Sequence, residues 1–214
     1  MSAVTEHSRR QGQSRQPRRD ALENRAGILA AATTAIAHDP HASIDAIARN
    51  AGLSRRALYG HFDDRDALIH EVIRSGAQRF NAIAAEIDDE DPPVALARLA
   101  ARLWQEAAHV QVAAAIALDE AHVSETADAL APLRRRVVAI VRRGQDDGTL
   151  RTDVAAPTLA RLIEEAARSV VTRMDAASPE AGSLAIRAVL GIAGLSWREG
   201  LALLADHPEL LEED

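Results

Sequence analysis

Between Ser43 and Phe62 the chain reads SIDAIARNAGLSRRALYGHF, a stretch too punctuated for one helix and too periodic for a loop. Ser43 is a favoured N-cap, and Ile44, Ile47, Ala48 and Ala51 then share one helical stripe. Gly52 follows where the helix must end, because glycine enters the left-handed conformation without a Cβ penalty. Ser54 caps a second helix whose inward residues are Leu58 and Phe62, with Leu53 filling the turn and small Ala48 permitting a close crossing. The spacing predicts a helix-turn-helix. Outward on the second helix stand Arg55, Arg56, Tyr59 and His61, all donors suited to an anionic partner. The competing reading is an αα-hairpin with a solvated outer face, since outward arginines are common. Cap, glycine turn, short second helix and donor face together favour DNA.

The net charge of −7 opposes that reading until it is divided along the chain. Residues 1–65 carry a balance of +3 and residues 66–214 a balance of −10, as expected for a small basic reader on an acidic body that phosphates repel. All 25 basic residues are arginine, which reflects genome composition rather than function. Of the 214 residues 47% are hydrophobic but only 2% aromatic, so core volume must come from Ala, Leu, Ile and Val, an economy suited to closely packed helices. With no cysteine, disulfides, thiolate metal sites and thiol nucleophiles are excluded. No signal-like or membrane-length apolar run is present, which predicts a cytoplasmic protein without membrane contact.

The run GLSRRALYGHFDDRDALI resembles the TetR family of bacterial transcriptional regulators, whose signature is a glycine turn, a Ser cap, Leu-Tyr-x-His-Phe and an acidic helix start. The likeness covers Asn24 to Val72 at motif level; beyond it the resemblance is to helical architecture. It implies an all-α fold, with a three-helix DNA-binding head and a larger helical ligand-binding and dimerisation body. It also implies a homodimer on a palindromic double-stranded operator, repression as the default, a small-molecule effector, and neither enzymatic activity nor a cofactor. Gly60 stands where the family often has a large polar residue, Arg65 where it usually has Lys, and the Asp39-Pro40 loop is shorter than the family's.

The chain divides into a basic arm (1–20), expected to be disordered, the DNA-binding domain (21–64), the body (65–206) and a frayed acidic tail (207–214). Periodicity predicts a first helix from Asn24 to His38 with Ile28, Leu29, Ala32 and Ile36 inward, and a fourth from Arg65 to about Asp88 capped by Asp63 and Asp64. Further helices are expected at Val94 to His109, Val110 to Leu118, and Ser124 to Arg143 with a kink or restart at Pro132. Beyond the glycine-bracketed turn GQDDGTLRTD come Val154 to Asp175 and a last long helix from Ser178, whose Gly182, Gly191, Gly194 and Gly200 weaken it unless a neighbour packs very near. His38 and His41 lack a third metal ligand, and the acids at 88–91 lack calcium-loop spacing. No metal or catalytic site is expected.

For DNA the candidates are Ser43, Ser54, Arg55, Arg56, Tyr59, His61 and Arg65. Arg55 and Arg56 open the second helix, where bidentate Arg to guanine is the commonest specific contact. Ser43 and Ser54 set hydroxyls beside helix N-terminal amides. By resemblance, Tyr59 and His61 donate to phosphates and Arg65 takes a flanking one. The body is expected to enclose an apolar pocket, with Phe80, Ile83, Leu103, Trp104, Ile116 and Val137 as lining and Asp119, Glu120 and His122 as polar anchors. Ordinary core and a solvated helix end are the competing readings. The last two long helices are the expected dimer surface, through Leu159, Leu162, Ile163, Ala166, Val170, Val189 and Ile192; the alternative is that these stripes close the monomer's own core. An all-α enzyme or carrier, and an adaptor that kept the fold but lost DNA binding, stay open; no nucleophile-elbow, metal-helix or phosphate-loop pattern supports the former.

Overall fold

Alternation of apolar stripes with capping residues and glycines leaves this chain little choice but short, closely packed helices. The computed structural model describes residues 16–39, 41–50, 52–108, 122–174, 178 and 180–212, and among them it shows helices and no strand. The helices are α1 (Gln16–His38), α2 (Ile44–Asn50), α3 (Arg55–Tyr59), α4 (Arg65–Glu86), α5 (Pro92–Ala108), α6 (Val123–Ala129), α7 (Ala131–Asp146), α8 (Ala156–Arg173), α9 (Ala181–Ala193) and α10 (Trp197–Asp206), with a 3-10 turn at Pro208–Leu210. None is long and apolar enough to cross a membrane. The expectations for the arm before residue 16, for Pro40 and Ala51, and for the helix at Val110 to Leu118 lie outside the described residues.

The chain forms two units, residues 1–72 and 73–214. The expected boundary at 64/65 is therefore displaced to a point inside α4, because the first turns of that helix bury Leu68 and Ile69 with the head. A second correction concerns α1, which begins at Gln16 rather than Asn24 and so takes in the end of the arm expected to be disordered.

In the first unit α1 packs on α2 and α2 on α3. Ile28, Ala32, Ala35 and Ile36 of α1 are buried, as are Ala42, Ile44, Ile47 and Ala48. Arg25 ties the unit together: its guanidinium lies 4.8 Å from the Phe62 ring centroid, pairs with Glu71 at 3.3 Å and donates to the His61 carbonyl at 3.4 Å.

The second unit is organised around α5, which packs on α7, α8 and α9. Seven of the eight residues from Val94 to Ala101 are buried apolar side chains, four of them alanine, so α5 is apolar on nearly every side and its neighbours approach closely. The chain leaving α4 is held from α7. Arg136 donates to the Ile87 carbonyl and Arg143 to that of Asp89 at 2.6 Å, a cationic cap for the end of a helix. The acids at 88–91 are thus not merely solvated: Asp89 pairs with Arg98 at 3.0 Å, and Asp91 accepts from the Val94 amide at 3.3 Å as a cap on α5. The restart expected at Pro132 is a full break at Leu130. Asn81 spans it, donating to the Ala129 carbonyl at 2.9 Å and accepting from the Leu133 amide at 3.0 Å.

The expected last long helix is two helices. Gly194 turns the chain at φ +114° after α9, and Ser196 opens α10 with a reciprocal capping box to Glu199. A Cβ at Gly194 would lie 2.8 Å from the Arg151 side chain, so the glycine answers to both backbone and space. The turn at Gly148, φ +76°, is fixed to this break by the Arg151 amide donating to the Ala193 carbonyl at 3.0 Å.

Candidate nucleic-acid interface

The candidate interface is built from two short helices, seven and five residues long. Neither would persist in water alone, since isolated helices this short do not recover their nucleation cost. Side-chain caps open both: Ser43 Oγ accepts from the Ala46 amide at 3.2 Å and Ser54 Oγ from the Ala57 amide at 3.1 Å. Gly52, at φ +67°, makes the turn, and the Leu53 amide returns to the Ala48 carbonyl at 2.8 Å. Burial then fixes the second helix. Leu58 is fully inaccessible and Phe62, just beyond the end of α3, is 4% exposed; each contributes roughly 1.5–3 kcal/mol relative to exposure. Gly60 lies in the ordinary helical region at φ −73°, so its identity is not demanded by the backbone.

The sequence-predicted residues separate into three groups. Ser43, Ser54, Arg55, Arg56 and Tyr59 are exposed, Tyr59 by 48%. Arg56 has no side-chain partner among the described residues, whereas Arg55 is ion-paired to Asp45 of α2. His61 is half-buried beside Phe62, their rings 6.5 Å apart. Arg65 is half-buried and its Nε donates to the Ala42 carbonyl at 3.1 Å, tying the start of α4 to the segment before α2. Only the Nε donor is committed by that bond, and the expectation that Arg65 takes a flanking phosphate is left as an expectation. Sequence reading did not single out Asp45, although an acid in the first turn of α2 is visible in the sequence.

The apolar pocket candidates that are described fall in two clusters of the body. Phe80, Ile83 and Leu103 pack half-buried on the core of the body, and Val137 is part of it. Trp104 belongs to another cluster with Val170, Ala181 and Ala185, and the missing Cβ of Gly182 lets its ring approach α9. His122 is the N-cap residue of α6, and its side chain makes no capping hydrogen bond there. Ile116, Asp119 and Glu120 lie outside the described residues. The dimer candidates are likewise divided. Leu159, Ile163, Val170 and Val189 are buried within one chain, since α8 and α9 pack on each other and on α5; they close the core. Ala166 and Ile192 are half-buried, and Leu162 is 44% exposed.

An all-helical chain whose head sets a short, arginine-bearing helix behind a glycine turn has the architecture of a helix-turn-helix transcriptional regulator. Residues 28–72 match the family model for bacterial regulatory proteins of the tetR family, a segment that spans the helix-turn-helix. Among solved structures it is similar to the TetR family transcriptional regulator PfmR from Thermus thermophilus, with a TM-score of 0.68 and 20% identity over 79% of this chain and 98% of that one. It is similar to the transcriptional regulator FadR from Bacillus subtilis in complex with stearoyl-CoA, with a TM-score of 0.68 and 14% identity over 79% and 97%. RolR in complex with resorcinol gives 0.61 and 14% over 86% and 94%. At these identities the likeness is one of fold. No curated protein matches the chain in sequence.

Replacing Leu58 with alanine is expected to destabilise the head by about 2–5 kcal/mol, because the cavity lies under a helix with no stability of its own. Arg56→Ala is expected to stay within about 0.5 kcal/mol of the parent. Chemical denaturation followed by circular dichroism, with amide exchange in α2 and α3, measures both.

Proposed function

We propose that the protein is a dimeric, sequence-specific transcriptional regulator that binds a palindromic operator through α2 and α3 and is released by a small-molecule effector. The observation that supports DNA reading most directly is the division of α3. Leu58 is sealed into the head, while Arg56 and Tyr59 of the same helix are exposed and Arg56 has no partner among the described residues. An unpaired cation on a rigidly seated helix loses little conformational freedom in reaching a base edge or phosphate. Arg56 then reads a base, and Tyr59 donates to the backbone.

One head offers too little surface for strong discrimination, and two-fold dimers on two half-sites are the common solution. The residues buried within the chain are unavailable for this, so the dimer surface falls on the apolar side chains left uncovered on α8 and α10. These are Leu162, Trp197 (65% exposed) and Leu201 (45% exposed). Leu184, Ala188, Gly191 and Trp197 line a groove of about 240 Å³ between α9 and α10. Exposed apolar surface of this kind marks an interaction site, and a Trp beside a groove is a favoured anchor. A second copy of the chain is its occupant.

The effector rests on the fold. FadR and RolR have been solved with stearoyl-CoA and with resorcinol. A ligand of either kind would loosen operator binding only through its different affinity for the two states, and operator would weaken the ligand by the same factor.

Three outcomes are expected. In binding-site selection the protein enriches an inverted repeat; Arg56→Ala relaxes one position per half-site by about 1–3 kcal/mol, whereas Tyr59→Phe weakens all sequences alike. Wild-type preference in both mutants would contradict the assignment. By sedimentation the protein is a dimer at micromolar concentration, and Trp197→Glu weakens it by about 2 kcal/mol or more. An unchanged mass would move the interface elsewhere. In thermal-shift assays an acyl-CoA or a small phenol raises the melting temperature and lowers operator affinity; no response to any compound in a broad library would leave an effector-independent regulator.

A further inference from the structure

Among the described residues, Asp45 and Arg55 form the one ion pair between α2 and α3. Asp45 lies in the first turn of α2, where a carboxylate is favoured by the helix dipole. Its Oδ2 pairs with Nη2 of Arg55, the first residue of α3, across the glycine turn. Exposure of the two side chains is unequal, at 29% for Asp45 and 71% for Arg55. The carboxylate is thus set back toward the protein while most of the guanidinium faces out. Asp45 Oδ1 is buried with no hydrogen-bond partner. A polar atom left so has an energetic penalty, and groups that keep it commonly serve something other than stability.

We propose that Asp45 is a positioning residue for sequence reading, resting on the DNA-binding role given above. Through Nη2 it fixes the rotamer and plane of Arg55, leaving the remaining guanidinium donors directed outward for a base edge. Arginine suits this because its planar fork offers several donors in fixed directions; one anchors and the others read. The pair has a second consequence. Arg55 is neutralised locally, so it adds little to sequence-independent attraction, and Asp45 repels phosphates that approach out of register. Arg56 supplies the unpaired charge and Arg55 the orientation. Adjacent arginines of identical chemistry therefore divide affinity and selectivity between them.

The test compares a duplex selected by the wild-type protein from a randomised library with a scrambled duplex of equal length, across a salt titration. Asp45→Asn keeps size and shape but frees Arg55. It is expected to bind the scrambled duplex more tightly, to lower the selected-to-scrambled ratio by about tenfold, and to steepen the salt dependence by about one phosphate equivalent. In an Arg55→Ala background the same substitution is expected to change neither ratio nor slope. Arg55→Lys, an exposed change that keeps the charge but not the fork, is expected to lose the ratio too. Thermal unfolding of each variant confirms a folded head. If Asp45→Asn retains the wild-type ratio and slope, or lowers the ratio equally without Arg55, the positioning role is overturned while DNA binding stands. Failure of the wild-type protein to select any duplex would instead remove the reading on which the role rests.

Discussion

The reading helix exists because Leu58 is buried. Five residues make barely more than one turn, and such a turn persists only when tertiary contacts supply what its own hydrogen bonds cannot. Leu58 and Phe62 anchor it from below, the Ser54 hydroxyl caps it from before, and Arg25 reaches from α1 to the Phe62 ring and the His61 carbonyl behind it. With every inward group committed, the outward residues inherit fixed directions. Orientation at Arg56 and Tyr59 is therefore a consequence of packing, and the proposed recognition surface would follow from hydrophobic burial without any structure of its own.

Electrostatics refines that surface. The acidic excess lies in residues 66–214 and the basic excess in residues 1–20, while residues 21–64 are close to neutral, so the attraction for a polyanion is concentrated at the arm that precedes the head. Within the head the charges are not equivalent. Arg65 is tied to the Ala42 carbonyl, Arg25 to Glu71 and Arg55 to Asp45, which leaves Arg56 as the cation of α3 without a partner among the described residues. Counting arginines would thus overstate the head's grip on phosphate. In the proposed role, the internal ion pairs would trade affinity for geometry, as a reader that must discriminate requires.

How much of this was legible in the sequence varied with the kind of signal. The head was legible nearly residue by residue because three independent cues agreed: helical periodicity at Ile44, Ile47 and Leu58, serine caps, and a glycine whose φ of +67° no other residue adopts as easily. The break between α9 and α10 was missed although its signal was present, since Ser196 and Glu199 stand at capping-box spacing just after Gly194. The early start of α1 was hidden by the polar composition before Asn24, which gives no apolar stripe to follow. Dimer and pocket residues were the least legible. Periodicity shows that Leu159, Ile163 and Trp104 face something apolar, but not whether that something is the same chain, a second copy or a ligand; here it is the chain itself. The pairing of Arg55 with Asp45 was equally invisible, because opposite charges ten positions apart carry no mark of contact.

The account depends on α3 meeting the duplex with the side chains its packing leaves outside. Amide chemical-shift mapping of the isotope-labelled protein against a duplex it has selected tests this most directly. The largest perturbations are expected from Ser54 to Tyr59, smaller ones near Ser43, and none in the buried α5 segment. Perturbations centred on α8 to α10, with α3 unaffected, would contradict it.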